Sequence, residues 1–169
     1  MNGIRISLGS AFIRGGIVTL VTVVDQLTKL WIEGTLSLYE RIPITSFFNI
    51  TKAYNSGAAF SLLSEAGGWQ RWFFITVSSI VSIILVVWLW RMPARDRLLG
   101  VGIALVLGGA LGNLIDRVLY GYVIDSIQIY WRDWYFPTFN VADIGITCGA
   151  AILVTLSLFE KSDERVSTP

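Results

Sequence analysis

Histidine is absent from all 169 residues. That absence excludes Ser-His-Asp and Cys-His nucleophile pairs and the HExxH zinc site. Hydrolytic chemistry in this chain must use carboxylates, a lysine, or a metal site built without histidine. Cysteine is almost as scarce. Cys148 stands alone in an apolar run, so it forms no intramolecular disulfide and leaves the redox compartment open. Charge is the third shortage: Asp, Glu, Lys and Arg make up 15% of the chain, where a soluble domain carries about a quarter. The net charge of +1 offers no basic surface for a nucleic acid, and no such partner is expected.

What fills the chain is apolar sequence, 54% of residues, with a mean hydropathy of +0.64. Four runs approach the roughly 20 residues that a helix needs to cross a bilayer. They lie at about 11–32, 69–90, 98–119 and 141–159. Residues 1–169 therefore read as one polytopic membrane domain. Arg5 and Arg14 before the apolar stretch 17–24 resemble the start of a signal peptide. The following Asp25-Gln26-Leu27-Thr28-Lys29 is no small-residue cleavage site, so the first run is predicted to be a retained span.

Lysine and arginine near span ends set orientation. The link between spans two and three holds Arg91, Arg95 and Arg97, the N-terminal flank holds Arg5 and Arg14, and the C-terminal tail holds Lys161 and Arg165. Both termini and that link are predicted to face the cytoplasm. The other connections, about 33–68 and 120–140, then lie outside. Residues 41–63 alternate and are rich in Ile, Thr, Phe and Tyr, with Asn55-Ser56-Gly57 as the turn signal. Residues 127–139 hold Tyr130, Trp131, Trp134, Tyr135, Phe136 and Phe139, a density suited to a membrane interface. The predicted fold class is an all-α integral membrane protein of four transmembrane helices with a small extracytoplasmic β-rich platform.

On this topology the intramembrane polar residues gather at one face. Asp25 and Lys29 lie near the outer end of span one, and Asn113, Asp116 and Arg117 near the outer end of span three. Asp125 follows, and Asn140 and Asp143 open span four. Ionisable groups inside a bilayer cost energy, about 2.5 to 3.5 kcal/mol at its centre, so several at one depth call for a reason. Structural reasons exist for most of them. Asp25 and Lys29 are spaced to pair along one helical face. Asp116 or Arg117 could anchor a helix end, Asn140 could cap span four, and Asn55 could be a turn residue. Gly108-Gly109-Ala110-Leu111-Gly112 thins span three, either for a substrate segment or for packing within the bundle.

Asp125 and Asp143 differ from the rest. Asp125 sits in Tyr122-Val123-Ile124-Asp125-Ser126-Ile127 with no basic neighbour, and Asp143 sits in the first turn of span four. The short connection returns the chain to where it left the membrane, so the two carboxylates can meet. Two carboxylates in a partly desolvated site do not both ionise easily. One keeps a proton while the other acts as a base, the aspartic-protease arrangement.

Five blocks in this order resemble the lipoprotein signal peptidase (signal peptidase II) family. They are Asp25-Gln26-Leu27-Thr28-Lys29, Ala53-Tyr54-Asn55-Ser56-Gly57-Ala58-Ala59-Phe60, Gly108-Gly109-Ala110-Leu111-Gly112-Asn113-Leu114-Ile115-Asp116-Arg117, Val123-Ile124-Asp125 and Phe139-Asn140-Val141-Ala142-Asp143. The resemblance runs from about residue 23 to 159. It implies four membrane helices with an extracytoplasmic β-cradle in the bacterial inner membrane. It implies Asp125 and Asp143 as catalytic residues, Asn55, Gly57, Asn113, Arg117 and Asn140 around the substrate, and Asp25 with Lys29 in support. The implied substrate is a prolipoprotein already diacylglyceryl-modified on its lipobox cysteine, cut on the N-terminal side of that cysteine, with its lipid chains among membrane phospholipid. Inhibition by globomycin-type cyclic peptides and independence of metals and cofactors are implied too. One departure is Ser126 after Asp125, where the family usually has Phe; it bears on the pocket wall and not on either carboxylate.

Rival readings come from other classes. A small proton- or ion-coupled transporter component would also carry intramembrane carboxylates, but along a path across the membrane rather than at one face. An assembly factor would use the aromatic outer segment and leave the aspartates unexplained. A Ser/Lys peptidase using Lys29 needs a serine at the same depth, and none stands out.

Overall fold

The structure, a computed structural model, describes residues 8–57 and 68–166, with side chains as far as Phe159. Four helices dominate: α1 (Leu8–Thr35), α2 (Trp69–Arg91), α3 (Arg97–Leu119) and α4 (Val141–Val166). Each is long and apolar enough to cross a membrane. Helix α3 is the hub, packed against the other three. Over half of its apolar window (56%) is buried, against 11 to 17% in the others, which turn most of their surface outward.

Between apolar helices in lipid the hydrophobic effect is weak, and close packing does the holding. Glycine permits it. A Cβ on Gly109 would collide with the Ala142 carbonyl of α4, and one on Gly108 would sit 2.8 Å from Val21 Cβ of α1. The glycine run 108–112 thus brings α1 and α4 onto α3. Its two readings resolve to packing within the bundle. Arg14 and Arg71 tie helix ends together. Arg14 is buried and donates to the carbonyls of Met92 (3.1 Å) and Pro93 (2.7 Å) where α2 ends. Arg71 donates to the carbonyls of Arg117 (3.1 Å) and Val118 (2.8 Å) at the end of α3. Cations at these termini meet both the unpaired carbonyls and the helix dipole.

A four-stranded antiparallel sheet accompanies the bundle, in the order β1 (Arg41–Thr45), β2 (Phe48–Asn55), β3 (Val123–Trp131), β4 (Trp134–Tyr135). Four helices with a small sheet are the fold class expected from sequence. The Asn55-Ser56-Gly57 turn signal is met where β2 ends, as Asn55 Oδ1 accepts the Gly57 N–H at 3.0 Å in an Asx-type turn. A further reversal at Ser46-Phe47 joins β1 to β2. The strands expected beyond Gly57, to residue 63, lie outside the described residues. Helix α3 stops at a left-handed Gly121 (φ 87°), whose N–H returns to the Arg117 carbonyl at 3.2 Å. That stop turns the chain straight into β3.

Candidate active site

Strand β3 pairs with β2 so that Asp125 faces Ala53 and Val123 faces Asn55. Burial is nearly complete, with Asp125 only 1% exposed. After β4 the chain comes back along β3. The N–H groups of Ser126 and Ile127 donate to the Phe139 carbonyl at 3.0 and 2.8 Å, and the Phe139 N–H returns to Ile127 at 3.0 Å. The next residue, Asn140, is thereby set beside Asp125 at the start of α4.

Three bonds of Asn140 then join it to Asp125 and Asp143. The Asp143 N–H donates to Asn140 Oδ1 at 3.0 Å, and the Asn140 N–H donates to Asp143 Oδ2 at 3.2 Å. This is the reciprocal bonding of a capping box, with aspartate where glutamate is commoner. The free amide of Asn140 donates from Nδ2 to Asp125 Oδ1 at 2.8 Å. One side chain therefore joins the turn that carries Asp143 to the carboxylate of Asp125. Asp143 Oδ1 accepts from Asn113 Nδ2 at 2.8 Å. Asp125 Oδ2 accepts from Asn55 Nδ2 at 3.4 Å and Thr138 Oγ1 at 3.3 Å. Burial pushes the Asp125 carboxyl up to about 7, and the neighbouring Asp143 charge pushes the same way, against the pull of the three donors.

A cavity of about 570 Å³ opens on Asp143, with Asp125 buried behind Asn55 and Thr138 of its lining. Asn55, Asn113, Arg117 and Asp143 form its polar side, and Phe136, Phe139 and Ile144 are among its apolar walls. The Arg117 guanidinium donates to the Gly57 carbonyl at 2.9 Å and lies 5.0 Å from the centre of the Phe74 ring. Gly57 in turn donates its N–H to Asn55 Oδ1 at 3.0 Å. Ser126 is buried and does not line the cavity, so it forms no part of the described pocket wall.

Asp25 and Lys29 lie one layer deeper and line none of the cavity. They pair at 2.8 Å, as their spacing predicts. Lys29 also reaches Asp116 at 2.9 Å and Asn113 Oδ1 at 2.9 Å. Only an amide oxygen can face the ammonium, which leaves the Asn113 NH₂ to donate to Asp143. Two polar contributors, Thr138 and Asp116, have no site role assigned from sequence, Asp116 being read there as a possible helix-end anchor. Thr138 sits among aromatics in an aperiodic stretch, with no signal to mark it. Asp116 lies one turn after Asn113 on α3, and that spacing alone could have put both on one face.

Residues 17–159 match the family model described as signal peptidase (SPase) II. The chain belongs to that family. It is 54% identical over 147 residues to the lipoprotein signal peptidase of Ectopseudomonas mendocina, covering 86% of each. It is 49% identical over 152 residues to that of Pseudomonas aeruginosa strain UCBPP-PA14, covering 88% of this chain and 89% of the relative. A bacterial membrane enzyme solved by the in meso method at 2.3 Å superposes with a TM-score of 0.80 at 34% identity, over 92% of each chain. Membership of the signal peptidase II family, with four apolar helices, makes this a bacterial membrane peptidase. The transporter alternative finds no support in these likenesses.

Proposed function

We propose that Asp125 and Asp143 form an aspartic dyad that cleaves prolipoproteins within the membrane, on the N-terminal side of a diacylglyceryl-modified cysteine. The observation that carries this reading is the single Asn140 side chain bonded to Asp125 and to the helix turn of Asp143. Two acids held on one amide beside a cavity are suited to share a proton.

Asp143 suits the base. It receives the Asn113 amide and the Asn140 N–H, and it sits in the first turn of α4, where the helix dipole favours negative charge. Asp125, buried and raised to about 7, suits the acid. Asp143 takes a proton from a water whose oxygen attacks the scissile carbonyl, while Asp125 donates its proton to the carbonyl oxygen. Collapse of the tetrahedral intermediate breaks the C–N bond. The amine leaves with the proton from Asp143, and Asp125 recovers its own from the hydroxyl.

In this reading Asn55, Gly57, Arg117, Asn113 and Asn140 surround the substrate, and Asp25 with Lys29 stands behind them. The lipid chains of the substrate lie in the bilayer beside the bundle, and globomycin-type peptides block the cavity. The arginine-rich link and both termini face the cytoplasm of the inner membrane, with the dyad near the outer face. No metal or cofactor takes part.

The test is a gel-shift assay on a purified, lipidated prolipoprotein. Asp125→Asn and Asp143→Asn should each abolish processing in a folded protein, and activity in either removes that residue from the dyad. Chelators should leave the wild type active. A lipobox Cys→Ser substrate should remain uncut, and efficient cleavage of it contradicts the proposed specificity.

A further inference from the structure

Two buried carboxylates outside the cavity hold the two backbone amides next to the dyad. Asp116 Oδ2 accepts from the Ile124 N–H at 3.0 Å, one residue before Asp125. Asp25 Oδ1 accepts from the Ala142 N–H at 2.9 Å, one residue before Asp143. The Ala142 donor is one of those that a helix N-terminus leaves unpaired. Lys29 Nζ stands between the two acids at 2.8 and 2.9 Å, and Gln26 Nε2 holds the second oxygen of Asp116 at 2.8 Å. Asp25 and Asp116 are fully buried and Lys29 is 1% exposed.

Burying such charges is expensive, and apolar residues of similar volume often serve stability as well or better. Helix pairing alone also leaves unexplained why each carboxylate ends on the amide just upstream of a reacting acid. We propose that Asp116 is a positioning residue for the peptidase reaction. It fixes β3 at Ile124 while Asp25 fixes α4 at Ala142, and Lys29 holds the two grips at one spacing. The separation of Asp125 from Asp143 is thereby set from α1 and α3. This rests on the aspartic-dyad reading.

The experiment compares Asp116→Ala, Asp116→Asn and Asp125→Asn on a lipidated prolipoprotein in detergent, reading kcat and KM separately, with folding checked by circular dichroism and melting. A misplacement near 1 Å costs on the order of 100-fold in rate, and that loss in kcat is expected for Asp116→Ala. KM should stay nearly constant, because Asp116 lines none of the cavity. Asp116→Asn keeps an acceptor for Ile124 and should recover most of the loss, remaining about fivefold slow because a neutral acceptor holds less firmly.

A merely structural residue would lower the melting temperature and leave kcat of the folded enzyme alone. Wild-type kcat in folded Asp116→Ala overturns the proposal. Should that variant fail to fold, Asp116→Asn decides: lowered kcat at constant KM supports the grip, and unchanged kcat overturns it. Asp125→Asn separates the two claims. Activity there removes the dyad, whereas an inactive Asp125→Asn beside a fully active Asp116→Ala removes the positioning role alone.

Discussion

Asn140 donates to Asp125 at 2.8 Å while its own oxygen caps the helix that carries Asp143. The two jobs use opposite ends of one amide, so they can be separated by substitution. Serine is as good an N-cap as asparagine, whereas alanine at such a site costs about 1 kcal/mol. Serine is too short to reach Asp125 as well. Asn140→Ser should melt close to wild type and lose at least about tenfold in processing rate, the worth of one hydrogen bond to a reacting group. Asn140→Ala should lose both stability and rate. Thermal melts read beside initial rates check this, and a fully active Asn140→Ser would confine Asn140 to capping.

The raised Asp125 carboxyl makes pH a second handle. If Asp125 works protonated, processing should fall as pH rises through about 7. Stability must move in the same direction. The folded chain binds this proton more tightly than the unfolded one, whose carboxyl titrates at 3.8. The stabilisation is complete below pH 3.8 and is lost as pH rises through about 7. Melting temperature of the wild type, measured relative to Asp125→Asn, should therefore decline between these limits. Parallel melting curves across that range would contradict a raised Asp125.

The membrane spans were legible in sequence because the bilayer fixes how long an apolar helix must be, and α1 to α4 fill those runs. The grouping of acids and amides at one end was legible because charge inside lipid needs a reason. Other features had no one-dimensional trace. Asn55-Ser56-Gly57 marks the turn that ends β2, whereas the reversal at Ser46-Phe47 carries no Gly, Asn, Asp or Pro and follows from the pairing of β1 with β2. Glycines 108 to 112 look the same whether they face a substrate or a helix, and the backbones of α1 and α4 decided that. Asp116 looked like a helix-end anchor because its key partner is the Ile124 backbone amide, which no side-chain pattern reveals.

Thr138 offers a finer test of the acid. Its hydroxyl donates to Asp125 Oδ2 at 3.3 Å and so favours the ionised carboxylate. Thr138→Val keeps the shape and removes the donor, which should push the carboxyl further above its value of about 7. The alkaline limb of the pH–rate profile should then move up by roughly half a unit, the worth of one weak hydrogen bond. Thr138→Ser keeps the donor and should keep the limb in place. A limb that stays put in Thr138→Val would show that this hydroxyl does not touch the titrating group in the working enzyme.

Helix spacing is the last lever, and Gly109 is where it bears on the chemistry. A methyl group there would press on the Ala142 carbonyl and come within 2.8 Å of Ile146 Cγ1, so α4 would have to move outward. Asp143 is the next residue along and would move with it. Overpacking of this kind costs about 1 to 3 kcal/mol, and a shift near 1 Å in a reacting group costs on the order of 100-fold in rate. Gly109→Ala should thus lower both melting temperature and kcat. Gly16→Ala on α1 has nothing within 4 Å of its new methyl and should leave kcat unchanged while keeping or slightly raising the melting temperature. Processing rates and melts of the two variants, made side by side, separate helix spacing from a general intolerance of alanine. If Gly109→Ala processed substrate at the wild-type rate, the distance from α3 to α4 would not govern the placement of Asp143.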